Sequence, residues 1–244
     1  FSKKIDKIIG FSFLSYYKKV YRINSRVFDN FNNLQIQKMK TIENTNCIAV
    51  VDSGYFHPDR YFYDTLSKEK ILENSSYYYK NLYEFLSSLE KNYKSKVSFC
   101  KHPRAVYTND NFNIIEKNFN ISLEKTEKVI ANSQIVVFTG GSSLINLAIL
   151  LNKKIIFIET EDQKYYSSQI KALRKLINLE SIDLDRFIKS LKNLENQKNF
   201  YDNLYEKCKS KTTEYNKFIY NNLVYNENEK SYKQVKDIIF NINA

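Results

Sequence analysis

With 244 residues and 43% hydrophobic side chains, the chain is long enough to bury a substantial core, which excludes a disordered or disulfide-stapled class. The formal charge of +11 points to an anionic partner, but nine Lys or Arg against Asp6 and Asp29 concentrate most of the excess in residues 1–40. No nucleic-acid-binding module accompanies that charge, so nucleic acid is not expected, and without a run of eighteen apolar residues any membrane contact is expected to be peripheral.

Residues 1–45 read as a basic helical segment that also holds Phe11, Phe13, Leu14, Tyr16, Tyr17 and Tyr21. Two readings stand: an interfacial helix on anionic lipid, or a solvated helix packed on the protein by its aromatic side. From residue 46 to 182, short apolar runs alternate with helical periodicity, which predicts an α/β domain with a Rossmann-like parallel sheet and flanking helices.

Cys47-Ile48-Ala49-Val50-Val51 reads as a buried strand ending at Asp52. Residues 76–92 read as a helix, with Leu82, Phe85, Leu86 and Leu89 on one stripe and Ser75 or Ser76 as its cap. Val97-Ser98-Phe99-Cys100 is the next strand, followed by a short helix over 111–118, a weak strand around Asn120-Ile121 and a helix over 123–132. Gln134 to Phe138 is a further strand. Leu144, Leu147, Ala148 and Leu151 form the stripe of the helix after it, and Lys154 to Ile158 is a strand ending at Glu159. Residues 183–244 read as C-terminal helices, a helical tail.

Three of the four glycines, both histidines and both prolines fall in three short segments. These are Asp52-Ser53-Gly54 with His57-Pro58, then Lys101-His102-Pro103-Arg104, and Thr139-Gly140-Gly141-Ser142-Ser143. Each lies just past the carboxyl end of a predicted strand, the edge at which open parallel sheets bind ligands. A strand, a Gly-Gly-Ser-Ser turn and a helix bring backbone N–H groups and two hydroxyls to a position that suits phosphate. Ser142 or Ser143 could equally be a plain helix cap. The spacing is not that of a Walker loop.

His102 can donate a hydrogen bond or a proton to a phosphate oxygen, Pro103 restricts its backbone to an extended form, and Lys101 and Arg104 supply charge for an anion. Asp52 could act as general base on an acceptor hydroxyl or simply start a turn. His57-Pro58-Asp59-Arg60 reads as a loop near the site. Cys47, Cys100 and Cys208 are odd in number, widely spaced and without metal-ligand spacing, as expected of reduced thiols in a cytosolic protein.

The order strand, Lys-His-Pro-Arg, helix, strand, Thr-Gly-Gly-Ser-Ser, helix, strand over roughly 46–160 resembles the nucleotide-binding half of GT-B glycosyltransferases that use CMP-activated sugars. These are the bacterial sialyltransferases, polysialyltransferases and Kdo transferases. The resemblance implies that His102 with Pro103 binds the CMP phosphate and assists its departure, and that Ser142 and Ser143 hold the phosphate. It implies Asp52 as base, although the middle residue of the family's acidic-acidic-Gly motif is Ser53 here. Around these, Lys101, Arg104, Thr139, Gly140 and Gly141 would complete the phosphate site, and Glu159 and Glu161 are candidates for ribose or base contacts.

The implied protein is a metal-independent glycosyltransferase with no cofactor. It would take a CMP-linked sialic acid or Kdo donor and a bacterial surface polysaccharide or lipooligosaccharide acceptor, at the cytoplasmic face of the membrane. Residues 1–45 are then the remnant of an acceptor domain or a membrane-facing element, and an oligomer remains open. CDP-glycerol glycerophosphotransferases share a similar His-Pro and Ser-Ser arrangement. A non-catalytic sugar-nucleotide-binding module is the rival from another class.

Overall fold

The computed structural model describes residues 46–53, 68–105, 107, 109–160, 174–179, 181–190, 200 and 212–223. The expectations for residues 1–45, for Gly54, for His57 to Arg60, for Glu161 and for Cys208 lie outside these residues.

In chain order the elements are β1 (Cys47–Val51), α1 (Lys68–Tyr93), β2 (Lys96–Cys100), α2 (Asn109–Asn118), β3 (Asn120–Ile121), α3 (Thr126–Asn132), β4 (Ile135–Phe138), α4 (Ile145–Leu150), β5 (Lys154–Glu159), β6 (Ser181–Asp183), α5 (Leu184–Ser190) and α6 (Thr212–Asn222). The strands form one sheet in the order β3-β2-β1-β4-β5-β6, and every neighbouring pair is parallel. This is a Rossmann-like α/β sheet, in which the chain steps outward from β1 to β3 and then returns to the other side of β1. The reversal falls between β1 and β4.

Central strands of such a sheet are covered on both faces, so they are apolar at nearly every position. In β1, Ile48 and Val50 face one core with Leu82, Phe85, Leu86 and Leu89 of α1, Phe112 and Ile115 of α2, and Leu184 and Phe187 of α5. Ala49 and Val51 face the other, with Val129 and Ile130 of α3, Leu147, Ala148 and Ile149 of α4, and Tyr215 and Phe218 of α6. Burying each such Leu or Phe contributes roughly 1.5–3 kcal/mol, and it is this stripe that docks α1 on the sheet.

Several expected boundaries move. α1 begins at Lys68, so Ser75 and Ser76 lie inside the helix instead of capping it; the preceding Lys, Glu and Leu are good helix formers and carry it backwards. α3 begins at Thr126, and Leu123 is fully exposed. α4 buries Ile145, Ile149 and Leu150 as well as Leu147 and Ala148, whereas Leu144 and Leu151 are half-buried. The sheet gains a sixth strand, β6, with a single apolar residue, Ile182; it crosses residue 182 at the edge, where a strand needs little burial. Helices α5 and α6 pack onto the two cores. Among the described residues no helix is long and apolar enough to cross a membrane.

Candidate functional site

β1 pairs with β2 on one side and β4 on the other, and Val51 is level with both Cys100 and Phe138. Asp52, Lys101 and Thr139 therefore leave the sheet at one level, each about one strand spacing, ~4.8 Å, from its neighbour. The ladder continues one step past the strands: the Asp52 amide donates to the Cys100 carbonyl at 3.1 Å and the Thr139 amide to the Val51 carbonyl at 3.2 Å. This is the point of strand reversal, where Rossmann-like sheets open a crevice.

Asp52 is only 2% exposed. A carboxylate taken out of water is costly unless hydrogen bonds replace its hydration. Here Oδ1 accepts from the Thr139 hydroxyl at 2.9 Å and Oδ2 from the Tyr107 hydroxyl at 2.5 Å. Thr139, itself fully buried, also accepts the Ser53 amide at 3.0 Å, and the Ser53 hydroxyl donates to the Thr139 carbonyl at 3.0 Å. The first and third sequence segments are thus joined side chain to side chain.

Tyr107 brings in the second segment. Its hydroxyl oxygen accepts the His102 amide at 2.7 Å while its proton goes to Asp52. Burial first, and then the adjacent Asp52 carboxylate, push this phenol far above its ordinary range and keep it protonated. Its ring packs at 4.6 Å from that of Phe112. The Lys101 ammonium lies over both rings, at 5.0 Å and 4.7 Å from their centroids, and pairs with Glu116 of α2. The charge expected to help hold an anion is therefore drawn towards α2.

His102 is half-buried, and its carbonyl accepts the Ala105 amide at 3.1 Å, closing a β-turn with Pro103 at the second position. The imidazole Nδ1 accepts the Arg104 amide at 3.2 Å, so in the neutral ring the proton resides on Nε2. Pro103 and Arg104 are exposed.

In the Gly-Gly-Ser-Ser loop, the Ser142 hydroxyl accepts the Leu144 amide at 3.2 Å, and the Ser142 and Ser143 carbonyls accept the amides of Ile145 and Asn146 at 3.3 Å each. Ser142 thus makes a local turn contact at the start of α4. Among the described residues no group accepts from the amides of Gly140 or Gly141. Gly141 and Ser143 are exposed, and Gly140 and Ser142 are half-buried.

No protein-family model matches this chain, and no curated protein does. What the site can do follows from its geometry.

Glu159 lies at the end of β5, two strands from β1. It is 7% exposed; one carboxylate oxygen pairs with Arg174 and the other accepts the Ser181 hydroxyl at 2.8 Å. Arg174 in turn donates to the Leu179 carbonyl at 3.3 Å and stacks over Phe157. Both Glu159 oxygens thus tie β5 to β6 and to the turn before it. The next residue, Thr160, has a buried hydroxyl with no hydrogen-bond partner among the described residues. Among the described residues no group of three or more His, Cys, Asp or Glu could hold a metal ion.

The structure therefore brings Asp52, Thr139 and His102 into one hydrogen-bonded set, with Ser142 and Ser143 on the loop that Thr139 begins. It sets Glu159 apart from them. Tyr107, which joins the set, carries no sequence signal: it is one of 20 tyrosines and belongs to no motif.

Proposed function

We propose that this chain is the nucleotide-binding half of a GT-B-type glycosyltransferase, moving a sialic acid or Kdo-type sugar from a CMP donor to a bacterial surface glycan at the cytoplasmic face of the membrane. What supports the reading is a single hydrogen-bonded path, from Thr139 through Asp52 and Tyr107 to the His102 amide, at the carboxyl edge where the strand order reverses. It makes one unit of the three segments that carry the His-Pro and Gly-Gly-Ser-Ser motifs.

In this mechanism the Nε2 proton of His102 goes to the departing phosphate of CMP, and the amides of Gly140 and Gly141 with the hydroxyls of Ser142 and Ser143 stabilise the charge that develops there. Asp52 takes the acceptor hydroxyl proton. Each carboxylate oxygen already accepts one hydroxyl and the residue is 2% exposed, so the acceptor must reach a remaining lone pair on a buried carboxylate. That enclosure favours a second reading, a non-catalytic module that binds the sugar nucleotide without turning it over.

Calorimetric titration with CMP, CDP and UDP tests both. The transferase reading expects CMP to bind most tightly and a CMP-sugar to be hydrolysed or transferred. A preference for CDP moves the donor to the CDP-glycerol class, binding without turnover favours the silent module, and no binding to any of the three removes the nucleotide assignment.

A further inference from the structure

We infer that Tyr107 is a positioning residue: its hydroxyl clamps the His102 amide to the buried Asp52 carboxylate and so fixes the imidazole turn at the carboxyl edge, where the strand order reverses between β1 and β4. This deepens the proposed function, on which the ligand-binding role of His102 rests.

The directions of the bonds are forced by chemistry. An ionised carboxylate can only accept, so the Tyr107 proton points to Asp52 Oδ2 and its lone pair is left for a donor. The His102 amide supplies that donor at 2.7 Å. The other handles on this residue are also taken: the carbonyl by Ala105, Nδ1 by the Arg104 amide, and the backbone by Pro103, which disfavours anything but an extended His102. Tyr107 links this turn to β1 through side chains, because Asp52 is the residue immediately after β1.

The phenol ring is held separately. Phe112 packs against it at 4.6 Å, and Lys101 lies over it. Tyr107→Phe thus keeps the packing and deletes both hydrogen bonds, the change needed to isolate the clamp. Asp52 retains its bond from Thr139, which keeps the carboxylate partly satisfied in the variant.

The test is amide hydrogen exchange, read residue by residue, on wild type and Tyr107→Phe, with CMP affinity measured on the same samples. The clamp predicts that exchange at His102 speeds up about tenfold, the equivalent of one net hydrogen bond, while Val97 to Cys100 in β2 are unchanged. It predicts that CMP binding weakens about tenfold and that Tyr107→Phe adds nothing to His102→Ala, as expected of residues acting through one contact. Unchanged exchange at His102, an equal rise along β2, or additive losses of affinity each overturn it. If wild type binds no nucleotide, the function falls, and exchange at His102 alone decides the clamp. Should the variant fail to fold, wild type still decides: the clamp requires a slowly exchanging Tyr107 hydroxyl proton with a nuclear Overhauser contact to the His102 amide, and its absence overturns it.

Discussion

The amino edge of the sheet buries Lys153 and the carboxyl edge buries Asp52, and the two are satisfied in different ways. At the amino edge Lys153, 8% exposed, donates to the carbonyls of Ala131 and Ser133 at 2.7 Å and 2.5 Å. Those carbonyls end α3, where the helix dipole favours a cation. At the carboxyl edge Asp52 is held by hydroxyls from two loops, 55 and 87 residues away in sequence. Lys153 finishes one helix; Asp52 adds side-chain bonds between segments that the sheet brings to one level. At the amino edge one cation closes one helix end, whereas at the carboxyl edge the side chains of three segments depend on one another.

The largest expected effect separates the two ends by activity. His102→Ala at the carboxyl edge should lower CMP-sugar turnover by about 100-fold or more, the usual contribution of a positioned acid, with the melting temperature unchanged. Lys153→Met should leave turnover of the folded protein as it was. Equal turnover in His102→Ala and wild type removes the imidazole from the chemistry.

The converse holds for stability. Lys153→Met strips two buried carbonyls of their donor and should cost about 2 kcal/mol in urea unfolding, with CMP affinity unaltered. A loss of affinity matching the loss of stability would mean that the two edges are coupled, and would undo the contrast.

Much of the carboxyl edge was legible in the sequence because β1, β2, β4 and β5 are buried on both faces and read as continuous apolar runs. The residue after such a run is placed automatically, which is how Asp52, Lys101 and Thr139 come to one level. What could not be read is the bonding between them. Tyr107 acts through a hydroxyl on a residue 55 positions from its partner, and such a pair leaves no periodicity or spacing behind. Lys153 was hidden for the same reason, since its value lies in carbonyls 20 and 22 residues earlier. β6 escaped because an edge strand with one apolar residue has no pattern, and the start of α1 because two serines resemble a cap wherever they stand.

The cysteines sharpen the comparison at intermediate strength. Cys47 at the amino edge and Cys100 at the carboxyl edge are both raised by burial; the charge of Lys153 offsets part of the rise at Cys47, whereas Cys100 is pushed up to about 12 from 9.0. A thiol whose folded value lies above its unfolded one contributes nothing against stability below pH 9. Above pH 9 the unfolded chain ionises first, and stability falls as pH rises until the folded thiol also ionises near 12. The slope is about 1.4 kcal/mol for each pH unit. Comparing urea unfolding of wild type and Cys100→Ala at pH 8 and pH 10 should show a shallower alkaline loss in the variant, and identical losses would mean that the buried thiol does not set it.

The smallest effect lies in the backbone. Helix ends turn back into strands at the amino edge, and with only four glycines in the chain two of those turns fall to Lys94, after α1, and Asn152, after α4, at φ 49° and 50°. Asparagine tolerates the left-handed region; lysine carries a β-carbon that crowds the following carbonyl. Lys94→Gly should therefore stabilise the protein by up to about 1 kcal/mol, less the extra entropy that glycine gives the unfolded chain, while Asn152→Gly gains less. On the proposed function neither should change CMP affinity, because the turns that carry His102 and Ser142 lie at the opposite edge and use Pro103 and Gly140-Gly141 instead. A gain in stability accompanied by altered affinity would show that strain at the supporting edge reaches the site.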